Sequence, residues 1–259
     1  MGRAWAFCWM FALASALFAG DRERMVESVL PSLDYGPSCW SSVDIQNLGD
    51  RAVEATLESH RASGALVALE GLPHMALRLD PGQRASYRLE IKDETGEAWV
   101  KLREKIPSAL SAALALSGMT ECVADNQLHS TTREVAFPTR NPWFGGEVAE
   151  MHGNLVSLVN TSEHPATAAL CYSNGNLYSV PKAGRPTPEL LPICSKLYFQ
   201  VPPFGSIQFP VERDGSSQFS IETRGDGIVL QMLKPLEAGV KVYKVDSTIT
   251  FGGEAEKQK

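Results

Sequence analysis

The chain has 259 residues, room for two modest domains at roughly 100–200 residues each. Its 44% apolar and 21% charged content is ordinary for a chain that buries cores. Its 24 basic and 30 acidic residues leave a net charge of −6, which argues against the basic face of a nucleic-acid binder.

The N-terminus reads as an export signal. Arg3 is the only charge before Asp21, and between them lie the apolar run Ala4–Leu13 and then Ala14-Ser15-Ala16. A charged n-region, an apolar h-region and an A-x-A pattern make a signal peptide, spanning residues 1–20. Cleavage fits best after Ala16, with Ala19 or Gly20 as alternatives. A membrane anchor is the competing reading, but the apolar stretch is short of the ~20 residues that span a bilayer. No later segment is apolar enough, so a secreted or periplasmic protein with no membrane span after cleavage is expected.

Period-two alternation then dominates. Val43 and Ile45 alternate with Ser42, Asp44 and Gln46; Val53, Ala55 and Leu57 alternate with Glu54 and Thr56. Such short runs are half-buried strands. The turn-rich Leu48-Gly49-Asp50-Arg51 between them predicts a hairpin. Further on, Leu77–Leu89 is a strand, a Pro81-Gly82 turn and a strand, and Trp99 heads another. Ser108–Leu116 has good helix formers, yet its all-β surroundings favour a strand.

The pattern then repeats. Val43, Asn47, Ala55 and Leu57 recur as Val156, Asn160, Ala168 and Leu170, a common offset of 113 residues (47 to 160, 57 to 170). Thr161-Ser162-Glu163-His164 matches the first turn, Phe199–Val211 matches Leu77–Leu89, Phe219 matches Trp99, and Gly227–Leu233 aligns with Ser108–Leu116. Repetition at a fixed period marks a duplicated module. Asn47 and Asn160 should share one place in the fold, and Leu57 and Leu170 should be core residues. Many short strands with turns every 8–12 residues predict β-sandwiches: domain one over 21–125, domain two over 126–250, and a disordered charged tail over 251–259. The fold class expected is all-β, two tandem antiparallel β-sandwiches after the signal peptide.

Export makes the cysteines legible. Cys39, Cys122, Cys171 and Cys194 are an even set, with three possible connectivities in an oxidising compartment. Cys171–Cys194 would staple a Gly/Pro-rich loop, contributing roughly 3 kcal/mol in the chain-entropy model. Cys39–Cys122 would then join early and late strands of the first copy. Free buried thiols are the alternative.

The order apolar-Pro, alternating strand, Asn-x-[GS]-[DE], second strand, then x-Pro-x-x-Gly resembles the immunoglobulin-like β-sandwich repeats of exported bacterial proteins, over most of residues 26–250. The resemblance implies a spacer, adhesive surface or assembly module.

The chemical candidates are sparse. Asn160-Thr161-Ser162 is a glycosylation sequon, but Asn47 holds the same place without one, so a structural turn asparagine explains both. Arg224-Gly225-Asp226 could engage a receptor, though Gly-Asp-Gly is also simply a turn. His60, His74, His129, His152 and His164 lack zinc-motif spacing, and no cofactor is implied. Asp44 and Glu58 read as solvated strand-face carboxylates. Trp143 and Phe144 lie in a six-residue insertion beside Pro142 and Gly145-Gly146. They are the candidate binding residues, and Trp143 is more strongly expected to plug the seam between domains. The function expected is an exported, non-catalytic binding, adhesive or structural protein, not an enzyme, whose partner is a protein or glycan of the cell envelope. The alternative is a secreted carbohydrate-binding module or small hydrolase with a loop-built site.

Overall fold

The computed structural model describes residues 23–107, 110–124, 126–148, 153–173, 195–211 and 218–233. Residues 1–20, expected to be a signal peptide, the loop ending at Cys194 and the tail over 251–259 lie outside them. The described chain is all-β. Its first half forms β1 (Glu23–Tyr35), β2 (Cys39–Asn47), β3 (Val53–Arg61), β4 (His74–Leu79), β5 (Arg84–Leu89), β6 (Gly96–Pro107), β7 (Leu114–Ala124) and β8 (Gln127–Arg133). Its second half forms β9 (Trp143–Glu147), β10 (Leu155–Asn160), β11 (Ala166–Ser173), β12 (Ser195–Val201), β13 (Ser206–Pro210), β14 (Gln218–Arg224) and β15 (Ile228–Leu233).

Four antiparallel sheets result. Sheet I runs β1-β6-β3-β4 and sheet II β5-β2-β7-β8; sheet III runs β13-β10-β15 and sheet IV β12-β11-β14-β9. Reading β9 to β15 against β1 to β7, the second half repeats the strand order of the first. Alternation places the cores. From β2, Val43 and Ile45 turn inward; they meet Ala55 and Leu57 of β3, Val100 and Leu102 of β6, and Leu116 of β7. In the second half Val156, Leu158, Ala168, Leu170, Phe219 and Ile221 form the corresponding core. Burying a leucine side chain contributes roughly 1.5–3 kcal/mol, and Leu57 and Leu170 are 0% and 4% exposed.

The expected hairpins are not hairpins. β2 pairs with β5 and β7, whereas β3 pairs with β4 and β6. The turn at 48–52 therefore carries the chain from sheet II to sheet I. The Pro81-Gly82 turn crosses back, since β4 lies in sheet I and β5 in sheet II. Alternation reports which side chains are buried, and it is the same whether the next strand pairs alongside or opposite.

Asn47 ties the two corners together. Its Nδ2 donates to the carbonyls of Arg51 (2.7 Å) and Leu79 (2.9 Å), and its Oδ1 accepts from the Gly49 amide (2.9 Å). Asn160 does the same in the second half: Nδ2 donates to His164 O (2.7 Å) and Pro202 O (3.0 Å), and Oδ1 accepts from the Ser162 amide (3.1 Å). Both side chains are fully buried. The amide nitrogen a glycan would need is committed to the corner.

Two alignments shift. Leu57 lies opposite Leu102, and Leu170 opposite Ile221, so Phe219 matches Val100 rather than Trp99. One residue of slip turns a side chain to the other face: Phe219 enters the core and Trp99 points away from it. Similarly, Asn47 faces Leu114 and Asn160 faces Ile228, so the strand expected over 108–116 begins only at Leu114. The buried Glu104 carboxylate sits at that start, accepting the Ala113 and Leu114 amides at 2.8 and 3.2 Å.

Candidate functional site, the seam between sheets I and III

β6 is buried on both sides. Ala98, Val100 and Leu102 face the first core, while Trp99 and Lys101, 0% and 1% exposed, face the second half of the chain. There Val29, Trp99, Val159 and Val229 form one buried cluster, with Ala136 and Phe204 packed against it. Because Val159 and Val229 belong to β10 and β15, the seam is one sheet face laid on another. Polar contacts frame it. Ser157 Oγ donates to Pro31 O (3.3 Å), the Ser206 amide to Ala62 O (2.9 Å), and Gln208 Nε2 to Glu97 Oε1 (2.7 Å).

The centre is a ring stack. In the β3–β6 register His60 lies opposite Trp99 and Glu58 opposite Lys101. The His60 ring stacks on Trp99 at 4.6 Å and on Phe204 at 5.3 Å. Trp99 Nε1 donates to the Phe204 carbonyl at 2.9 Å. Phe204 has a φ of 53°, a left-handed conformation unfavourable for a bulky residue; such strain persists only where its surroundings over-determine it. Gly64 meets the same turn: with φ of 89° it lies so close to the Pro203 carbonyl that no Cβ fits.

The charges are arranged around that stack. Lys101 Nζ lies 4.8 Å from the Phe204 ring centroid and 2.9 Å from the Glu58 carboxylate, so cation–π attraction and an ion pair offset its burial. Glu58 also faces His74 at 3.4 Å, His60 at 3.5 Å and Arg103 at 3.9 Å. Burial by itself would push the Glu58 pKa up; Lys101 and Arg103 outweigh it and hold the carboxyl below its ordinary value. Burial pushes the His60 imidazole down, aided by Lys101 and opposed by the Gly64 carbonyl and Glu58. At the other end Asp34 and Glu97 are cross-strand partners. Arg133 pairs with Asp34 at 2.8 Å. Burial raises both acids; for Glu97 the neighbouring Asp34 carboxylate adds to a large upward shift.

Glu58, His60 and Lys101 are the residue types of acid–base catalysis, but His60 and Lys101 are sealed between sheets and paired to structural neighbours. What the arrangement does chemically is fix one sheet against another. Among the described residues no cluster of His, Cys, Asp and Glu is arranged to hold a metal ion.

Trp143 is not in this seam. It lies on the edge strand β9 of sheet IV, opposite Glu222, and is 39% exposed. Phe144, opposite Ile221, packs on the second core. Neighbouring strand residues face opposite ways, so the two rings do not form one patch. The segment is not an insertion: β9 takes the place that β1 holds in the first half, with Phe144 opposite Ile221 as Ser28 is opposite Leu102, so it is a repeated edge strand rather than a linker plug.

The remaining candidates are scattered. Cys39 and Cys122 are disulfide-bonded, directly opposite one another in the β2–β7 register. Cys171 is also disulfide-bonded; its expected partner Cys194 lies outside the described residues, as does His152. Asp226 pairs with Arg140 at 3.1 Å, and the Gly225 amide donates to Asn141 Oδ1 at 2.9 Å, which ties the Arg-Gly-Asp turn to the segment before β9. Asp44 pairs with Arg84 at 2.9 Å on the open face of sheet II. His129 sits opposite Cys122 on β8, and His164 at the Asn160 corner.

Sequence reasoning missed the seam residues His60, Trp99, Lys101 and Phe204. One signal was available: Trp99 occupies the phase of β6 that should be solvated. A large aromatic there, with Lys101 two residues on, marks a strand buried on both faces. No protein-family model matches the chain, and no curated protein is detectably similar to it.

Proposed function

We propose that this is an exported, non-catalytic structural or binding protein, built from two duplicated immunoglobulin-like β-sandwich domains held at a fixed angle. The observation that carries this reading is the seam. The groups best suited to chemistry, His60 and Lys101, are buried in holding sheet I on sheet III. The repeated strand order and the matching Asn47 and Asn160 corners support the duplication. The corners that cross from sheet to sheet support a Greek-key sandwich of immunoglobulin type.

Export is supported by the signal-like residues 1–20 and by the Cys39–Cys122 bond, which suits an oxidising compartment. Among the described residues no helix is long and apolar enough to cross a membrane. The partner on this reading is a protein or glycan of the envelope, met by surface rather than by a pocket.

Fractionation of the native host, with intact-mass measurement after thiol alkylation, tests the export half. The expected product lacks the first 16–20 residues and has no alkylated cysteine. A cytosolic chain that retains Met1 and alkylates at Cys39 would overturn it. The rigid-spacer half is tested by capturing envelope partners with the wild type and with Trp99→Ala. Capture that is indifferent to a loosened seam would show that the angle between domains plays no part.

A further inference from the structure

We propose that β8 is a self-pairing edge, through which two copies of this chain join sheet II to sheet II in antiparallel register about Ser130. This goes beyond the reading above and does not depend on export. Among the described strands β8 is the outer one of sheet II. Its hydrogen-bonding direction follows from its neighbour. The Val123 amide donates toward β2, to Ser38 O at 2.8 Å. By antiparallel alternation, Cys122, Thr120 and Gly118 then turn toward β8, where they meet His129, Thr131 and Arg133. The amides and carbonyls of Leu128, Ser130 and Thr132 therefore point away from β7, along an edge that no strand among the described residues covers.

Natural sheets blunt such edges with lysine, proline, bulges or very short strands. β8 has none of these. Its register with β7 is continuous from Gln127 to Arg133, and its one charge, Arg133, is buried on Asp34. Other edges among the described strands are protected: β12 carries Lys196, and β13 is short and ends in Pro210. β4 follows Pro73 and carries Arg78, β5 follows Pro81 and carries Arg84 and Arg88, and β9 is short and follows Pro142. β1 carries a register shift between Leu30 and Leu33. β15 is uncharged too, but its Ile228 and Val229 are buried between core and seam.

The edge also matches itself. With Ser130 on the two-fold axis, Leu128 faces Thr132 of the second copy, His129 faces Thr131, and Gln127 faces Arg133. No like charges are opposed, and the two Ser130 hydroxyls meet on the axis, a favourable kind of cross-strand pair. Leu128 and Val123, cross-strand neighbours 58% and 44% exposed, would lie on the same outer face as Thr132 and Met119 of the partner copy.

Light scattering after size exclusion, over a range of concentrations of the full chain, tests the inference. The expected result is a reversible dimer. Ser130→Pro removes an amide that β7 does not use and should give a monomer with unchanged near-ultraviolet dichroism. Ser130→Lys places two lysines opposite one another and should weaken the dimer roughly tenfold. A wild type that stays monomeric at every concentration, or a dimer that survives in whichever variant remains folded, overturns the proposal.

Discussion

Asn47 and Asn160 show how one side chain sets a corner. Each is an amide with donors and an acceptor together, and each spends both on backbone groups of two different crossings. Alanine at either position strands buried carbonyls, so each substitution should cost about 2–3 kcal/mol in a denaturant melt. Aspartate should not rescue, because an ionised carboxylate cannot donate. Loss below about 0.5 kcal/mol would mean water replaces the amide. Expressed in a glycosylating secretory host, the folded chain should leave Asn160 unmodified by intact mass; a glycan there would contradict its burial. Leu57→Ala and Leu170→Ala should each cost about 2–5 kcal/mol, as deletions in close-packed cores do.

Like β1, β10 and β15, β6 serves two interiors, and its outward row Glu97, Trp99, Lys101 and Arg103 contains three ionisable groups. Glu97 gives that row a pH dependence. Its pKa is raised by burial and by the Asp34 carboxylate, so the folded chain binds the proton more tightly than the unfolded chain. That contribution is complete at pH below the ordinary carboxylate range, and it is lost as pH rises through the raised value. Glu97→Gln keeps the shape and the Gln208 contact while removing the charge. It should raise the melting temperature at pH near 8 and change it little near 4; equal effects at both would exclude the linkage. His60 has the opposite sign. Its pKa is lowered by burial, so its contribution is present above the ordinary imidazole value of about 6.5 and is lost as pH falls.

For the whole molecule the question is what holds the two halves together. The segment between β8 and β9 is stitched to both, Ala136 to Val29 and Thr139 to Ile228. The Trp99, His60 and Phe204 stack closes the gap beside it. Trp99→Ala should cost about 3–5 kcal/mol, expressed as seam opening. Limited proteolysis within 134–142 should rise while both cores and the Cys39–Cys122 bond persist. Trp143→Ala, on the edge strand of sheet IV, should leave that cleavage unchanged. The reverse pattern would place Trp143 in the seam.

Much of this was legible in one dimension. Alternation in Val43–Asn47 and Val53–Leu57 identifies strands, because burying one face of a pleated chain requires period two. Recurrence at a common offset anticipates the matching places of Asn47 and Asn160, and an even cysteine set, with Cys171 and Cys194 flanking one loop, anticipates the bond between Cys39 and Cys122. Three features waited for the tertiary structure. Whether β3 continues the sheet of β2 or faces it depends on pairing with β6, more than forty residues downstream, and local pattern does not carry that information. Whether Trp99 or Val100 matches Phe219 turns on a single residue of register, which changes nothing in composition and everything in facing. That His60, Lys101 and Phe204 meet at all requires two sheets from opposite halves of the chain to stack. Such a contact is decided by the shapes of finished surfaces and leaves only a faint trace in the sequence, a tryptophan on the phase of a strand that water would otherwise occupy.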